Sequence, residues 1–234
     1  IESKKKTYKA KDPCGPNLSD LYYLYQYILL NKRLTVLEIG SGWSSLIVSI
    51  ALRDLKNKYL KKAESLKKEN KFELFSLDNE KKYLNISKNR IQKFNKKLKK
   101  KGNIKCNFLH SEAEMTLFKS VICTQFKKLP LCNPDLIYLD GPSQFNIKKQ
   151  VNGINIKHSD LMPLAIDILK IEYFLIPGTM IICDGRAANV KLLRDNLRRN
   201  WKYFKDRKVD QHVFLLDDPI LGKNNKLQLK FYKS

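Results

Sequence analysis

The chain has few cysteines and places them without pattern: Cys14, Cys106, Cys123, Cys132 and Cys183, an odd number with no C-x-x-C pair. That excludes a disulfide framework and a structural zinc site, and leaves free thiols as the expectation. Long apolar runs are also missing. A membrane-crossing helix needs ~20 consecutive apolar residues, and the most apolar helical candidate, Leu21 to Leu30, is short and interrupted by Gln26. The first residues carry Glu2 and then Lys4 to Lys6, with no secretory pattern. The expectation is a soluble, cytoplasmic protein with no membrane partner. Histidine is scarce, with three residues in 234. There is no internal repeat and no low-complexity linker, and the length suits one sizeable core with additions. Acidic residues are outnumbered, 23 against 46 Lys plus Arg, for a net charge of +23. Such a charge attracts phosphate polymers. The excess is mainly lysine, however, and comes with many Asn and Ile, as compositional bias produces. Recognition surfaces use arginine and exposed aromatics more, so a nucleic-acid partner is not favoured.

Against this background one stretch is distinctive. Leu34 to Ser45 reads LTVLEIGSGWSS: an apolar run of β-forming residues, an acid, then Gly40 and Gly42, then an amphipathic segment. The pattern predicts a strand, a tight turn and a helix start. Glycines at alternate positions let a backbone turn sharply and let a ligand approach, and the free N–H groups of a new helix form a polar cradle.

Periodicity organises the rest of the chain. Residues 1–12 form a basic arm, and Ser19 is expected to cap a helix with apolar positions Leu21, Leu24, Tyr25, Ile28 and Leu29. Further helices are expected from Ser44 to about Leu60, from Asn79 to Lys101, from Asp160 to Phe174 behind a Ser159 cap, and from Ala187 to Asn200. The charged segment Lys56 to Lys71 either prolongs the first of these or forms a surface insertion. Strands are expected at Phe72 to Leu77, Ile104 to Leu109, Asp135 to Leu139 and Thr179 to Cys183. Met115 to Leu129 reads as partly helical, and Ser143 to Lys157 as a polar loop over a site. Extended runs from Trp201 to Leu216 and from Lys226 to Tyr232 suggest a closing antiparallel hairpin, with its turn around Asp217 to Asn225. The alternation of strand and helix implies a parallel sheet covered on both faces. The domain reading is an arm and covering helix over residues 1–33, followed by one domain over residues 34–234.

Ligands of open parallel sheets sit outside the carboxyl ends of the strands. Here five successive strand ends carry a carboxylate: Glu38, Asp78, Glu112, Asp140 and Asp184. In so basic a chain that coincidence points to one rim.

LEIGSGWSS and the order of these acids resemble the class I S-adenosylmethionine-dependent methyltransferases over about Leu34 to Tyr232. DLIYLDGP and GTMIICDGR more loosely resemble small-molecule and saccharide O-methyltransferases. The resemblance implies an α/β fold, Rossmann-like, with a seven-stranded, mostly parallel sheet, helices on both faces and a C-terminal antiparallel hairpin. It implies a methyltransferase that uses S-adenosyl-L-methionine, and a small-molecule or saccharide hydroxyl as acceptor. Gly40, Ser41 and Gly42 would form the turn against the cofactor's amino-acid part, over Glu38. Asp78 would hold the ribose hydroxyls, and Ser111 with Glu112 would lie beside the adenine. Asp140 would orient the acceptor or the cofactor amine. Ser44 stands where many members have a third glycine.

A hydroxyl acceptor needs its proton removed. His158, after the polar loop, is the leading base, with Asp140 and Asp184 as further catalytic candidates. His212 reads as structural, and His110 as a lining residue. Asp140 and Asp184 also match positions that hold Mg²⁺ in metal-dependent relatives of this fold. Gly185 stands where another oxygen ligand is usual, and Arg186 brings positive charge, so a metal is not favoured. Arg186 could instead clamp an anionic acceptor group. An RNA methyltransferase using the lysine-rich helix and a catalytically silent binding subunit are the alternative readings. A nicotinamide dehydrogenase is disfavoured because Gly40-x-Gly42-x-x-Ser45 lacks the last glycine.

Overall fold

A computed structural model of the chain describes residues 15–98, 103–158, 160–206 and 209–234. The basic arm over residues 1–12, Cys14, the Ser159 cap and residues 99–101 of the lysine-rich helix lie outside them. The order of elements is α1 (Leu18–Leu30), β1 (Thr35–Ile39), α2 (Trp43–Glu64), β2 (Glu73–Asp78), α3 (Lys81–Leu98), β3 (Lys105–His110), β4 (Ala113–Phe118), β5 (Val121–Phe126), β6 (Leu136–Leu139), β7 (Ile147–Lys148), α4 (Asp167–Ile171), β8 (Met180–Asp184), α5 (Ala187–Asn196), β9 (Trp201–Asp206), β10 (Gln211–Leu216) and α6 (Gly222–Lys233).

Seven strands form the main sheet in the order β3-β2-β1-β6-β8-β10-β9. The first five run parallel, and β10 is antiparallel to both β8 and β9. Every residue of β1 is buried, as expected for a parallel strand covered on both faces. The two-residue period then divides its side chains. Leu34 and Val36 join a core with Leu24, Leu52 and Phe231, while Leu37 and Ile39 join one with Phe126, Ile168 and Leu193. Among the described residues no helix is long and apolar enough to cross a membrane.

At the amino ends of the strands Asp135 fastens the entry of β1 to α6. It accepts from the backbone N–H groups of Leu34 (3.0 Å) and Thr35 (2.8 Å) and from the Tyr232 hydroxyl of α6 (2.9 Å). Arg33, nearly fully buried, donates to the Gly178 carbonyl at 2.5 Å and stacks on the Tyr232 ring.

Several expected elements are replaced by others. Lys226 to Tyr232 is not a strand but part of α6, and the hairpin is β9–β10. The buried residues Asn225, Gln228, Phe231 and Tyr232 recur at helical spacing, which the alternating LQLKF hides. Met115 to Leu129 is not helical. It forms the β4–β5 hairpin, joined by Lys119 and Ser120 with φ of 48° and 65°. Positive φ at both central residues suits the strand twist, but neither residue type announces it. The helix expected from Asp160 shrinks to α4 and a 3-10 turn at Glu172–Phe174, because Pro163 cannot continue a helical ladder. The cap of α1 is Asn17, whose side chain accepts from the Ser19 N–H, rather than Ser19.

Candidate active site

The sheet order reverses direction at β1, whose neighbours are β2 on one side and β6 on the other. A cleft of about 370 Å³ opens there, outside the carboxyl ends of the strands, the expected place in an open α/β sheet. Its walls combine the turn Gly40–Ser44, Asp78, the α3 residues Tyr83, Ser87 and Arg90, Tyr138, Asp140, the segment Pro142–Phe145, Asp184, Arg186 and the start of α1.

The turn is built from below by Glu38, which has no exposed surface. Its carboxylate accepts from the hydroxyls of Ser44 and Ser45 at 2.6 Å and of Ser76 at 2.5 Å. Burial pushes its pKa up to about 7, against the three hydroxyls that lower it. Glu38 thus fixes the start of α2 to the sheet and does not itself line the cleft. The position of Ser44, in place of a third glycine, is explained by this bond.

Gly40 has φ of +96°, and a Cβ there would lie 2.6 Å from the backbone of Asp140 and Gly141. The glycine therefore lets the loops after β1 and β6 touch. At Gly42, also in the cleft wall, a Cβ would meet only the Ser44 hydroxyl, at 3.7 Å, so packing leaves this position open. Ser41 is held by Asp78, which accepts from its N–H at 2.7 Å and its hydroxyl at 2.8 Å, and from the Glu80 N–H at 2.8 Å. Burial outweighs these bonds and raises the Asp78 pKa. A carboxylate offers about four acceptor sites, so Asp78 can hold a further donor.

Asp140 and Asp184 share the opposite wall. The Asp140 side chain is half exposed at the cleft; desolvation by the surrounding wall raises its pKa to about 6, with Arg186 opposing and Asp184 adding to the rise. Arg186 Nε stands 3.5 Å from Asp140, and its Nη2 donates to the carbonyls of Asp140 at 2.6 Å and Pro142 at 3.3 Å. Arg186 thus braces the wall through Asp140, and not through Asp184. Asp184 accepts from the fully buried Tyr138 hydroxyl at 2.5 Å, and its pKa is raised chiefly by burial. Among the described residues no group of three or more His, Cys, Asp or Glu side chains is arranged to hold a metal ion.

The remaining sequence candidates lie outside the cleft lining. Ser111 is buried and accepts from the Lys128 N–H at 2.8 Å. Glu112 is paired with Lys127 at 2.5 Å, which holds its pKa down. His158 is exposed beyond the rim, where its Nδ1 accepts from the Asp160 N–H at 3.2 Å, so the carboxylates and not the imidazole face the cleft. His212 bonds Tyr203 at 2.8 Å in the hairpin. Sequence reasoning missed Asp20, Tyr138, Trp43 and Arg90. Trp43 follows the glycine turn, and Arg90 lies 3.7 Å over its ring while donating to the Gly42 carbonyl at 3.0 Å. Helical spacing places Ser87 and Arg90 on one face, but only the fold puts that face against the turn.

No family model and no curated protein matches the sequence. Solved structures of similar shape include an SAH-bound methyltransferase from Podospora anserina, at 14% identity and a TM-score of 0.46 over 88% of this chain and 80% of that one. An O-methyltransferase from Bacillus cereus in complex with SAH matches at 13% identity and 0.42, over 87% and 83%. The O-methyltransferase TomG from Streptomyces achromogenes, in complex with SAM, matches at 12% and 0.43, over 87% and 82%. With its sheet order, its parallel strands and the antiparallel β8-β10-β9 end, the chain has a Rossmann-like α/β fold closed by an antiparallel hairpin.

Proposed function

We propose that the chain is an S-adenosylmethionine-dependent methyltransferase that modifies a hydroxyl of a small molecule or sugar precursor. One observation carries the reading: the open glycine at Gly42, the helix start behind it, Asp78 and Asp140 all converge on a single cleft at the switch point of this sheet. The residues suit the cofactor. The N-terminus of α2 favours the negative charge of an amino-acid carboxylate, Asp140 attracts the ammonium, and the remaining acceptor capacity of Asp78 takes a ribose hydroxyl. Bound there, the cofactor supplies an electrophilic methyl group.

The chain's own residues then position and deprotonate. Positioning dominates, because in-line transfer needs little beyond alignment. Asp140 takes the acceptor proton: desolvation has moved its pKa up toward neutrality, where a base works best. Arg186 orients Asp140, and Tyr138 orients Asp184 through its hydroxyl. Calorimetry with S-adenosylhomocysteine tests the reading. The wild type binds, and Gly42→Val, whose side chain enters the cleft, weakens binding tenfold or more, a loss of about 1.4 kcal/mol. A folded wild type that does not bind S-adenosylhomocysteine overturns it.

A further inference from the structure

The cleft has an end that the proposed cofactor contacts leave unused. Asp20, in the first turn of α1, lines it with Tyr138 and Asp184. Asp20 is only 9% exposed, and its Oδ1 has no hydrogen-bond partner. Beside it Gln211, wholly buried, donates through Nε2 to the Asp20 carbonyl at 3.1 Å, while its own Oε1 is also without a partner. Gln211 is the register partner of Asp184 across β8 and β10. Two buried acceptors without donors, a carboxyl oxygen and an amide oxygen, therefore sit next to a second carboxyl, Asp184, which accepts from the Tyr138 hydroxyl and from the Gln211 side chain.

Among the described residues the charge balance there is negative. Burial, then Asp184 and Asp210, raise the pKa of Asp20. Of the nearby cations, Arg186 lies 3.5 Å from Asp140, with its Nε and Nη1 left without hydrogen-bond partners, and it also acts on Asp184, while Lys205 lies 3.6 Å from the exposed Asp210. A buried acceptor left unpaired is costly, and adjacent like charges add to that cost. A neutral hydroxyl would satisfy one lone pair and leave the charge. An ammonium group brings three donors and the opposite charge.

We propose that Asp20 and Asp184 receive a cationic group of the methyl acceptor, so that the substrate is a hydroxyl compound carrying a protonated amine. The inference rests on the proposed function and narrows its acceptor class. Anionic acceptors are repelled from this end of the cleft.

Ligand-observed NMR near neutral pH tests it, on protein saturated with S-adenosylhomocysteine so that the cofactor side is filled by a molecule without the sulfonium charge. Two matched sets serve as probes: glucosamine, glucose and glucuronate; and tyramine, tyrosol and 4-hydroxyphenylacetate. In at least one set the amine is expected to bind tenfold or more tighter than its neutral and anionic partners. Asp20→Asn, with a wild-type melting transition as its control of folding, brings the gap to about threefold or less. The wild-type comparison decides the charge class even where the variant melts early. No preference for the amine in either set, or a preference that survives in folded Asp20→Asn, overturns the inference alone. Failure of the wild type to bind S-adenosylhomocysteine overturns the proposed function with it.

Discussion

Glu38 shows how much a single residue can hold. Its side chain has no solvent contact, yet it joins β1, β2 and the start of α2 through three hydroxyls. Its pKa of about 7 in the folded chain compares with about 4.3 for a free glutamate, so the folded state holds a proton that the unfolded chain has lost between these values. Stability contributed by this group is complete below about pH 4 and falls as pH rises toward 7, by a total of about 4 kcal/mol. Glu38→Gln is expected to flatten that slope, measured as urea midpoints between pH 5 and 8. An unchanged slope would show that the proton is not held at Glu38. Asp140 carries the second prediction at this scale. As a base it must be ionised, so kcat/KM is expected to fall as pH drops through about 6, and Asp140→Asn to lose about 10²- to 10⁴-fold. Both acids stand out in the sequence because they end strands. Nothing there distinguishes the buried Glu38, which holds the turn, from Asp140, which faces the cleft.

At the scale of elements, the two glycines of the turn do different work. Gly40 admits the loop after β6, and Gly40→Ala would push a Cβ into backbone at 2.6 Å, with an expected loss of about 2 kcal/mol of stability. Gly42→Val is expected to lower ligand affinity with little change in melting temperature. Comparing the two variants by calorimetry and melting separates the roles, and equal effects of both on stability would refute the division. The opposite end of the sheet has its own fastening. Asp135 joins the entry of β1 to α6, and Asp135→Ala is expected to cost about 3 kcal/mol or more in denaturant unfolding, since two backbone donors and the Tyr232 hydroxyl lose a buried partner. α6 was unreadable as a helix because its buried face is built of Asn225 and Gln228 as well as aromatics. The β4–β5 turn was unreadable because lysine and serine occupy a conformation that glycine or asparagine usually marks.

At the scale of the whole molecule, α3 keeps its exposed lysines apart from the cleft. Lys88, Lys93, Lys96 and Lys97 project from α3 into solvent, while the same helix turns Ser87 and Arg90 to the glycine turn. Such exposed lysines contribute little to stability. Changing all four to Gln is expected to leave S-adenosylhomocysteine affinity within about threefold and to shift unfolding by no more than about 2 kcal/mol, at ~0.5 kcal/mol or less for each. A steep loss of affinity would instead give the lysine face a part in the site.

The alternating strands and helices, the glycine turn and the row of acids were all legible in the sequence. Buried parallel strands require continuous apolar runs, and their polar ends stand out against them. Which acids meet in one cleft was decided only in three dimensions. Sheet order, set by crossover packing, brings Asp78, Asp140 and Asp184 together and carries Glu112 and His158 away. α1 lies far ahead of Asp184 in the chain, yet its packing brings Asp20 to the same wall. A side chain's place in the chain says which element it belongs to, while its exposure and partners depend on what packs against that element, and here those contacts come from the far side of the fold.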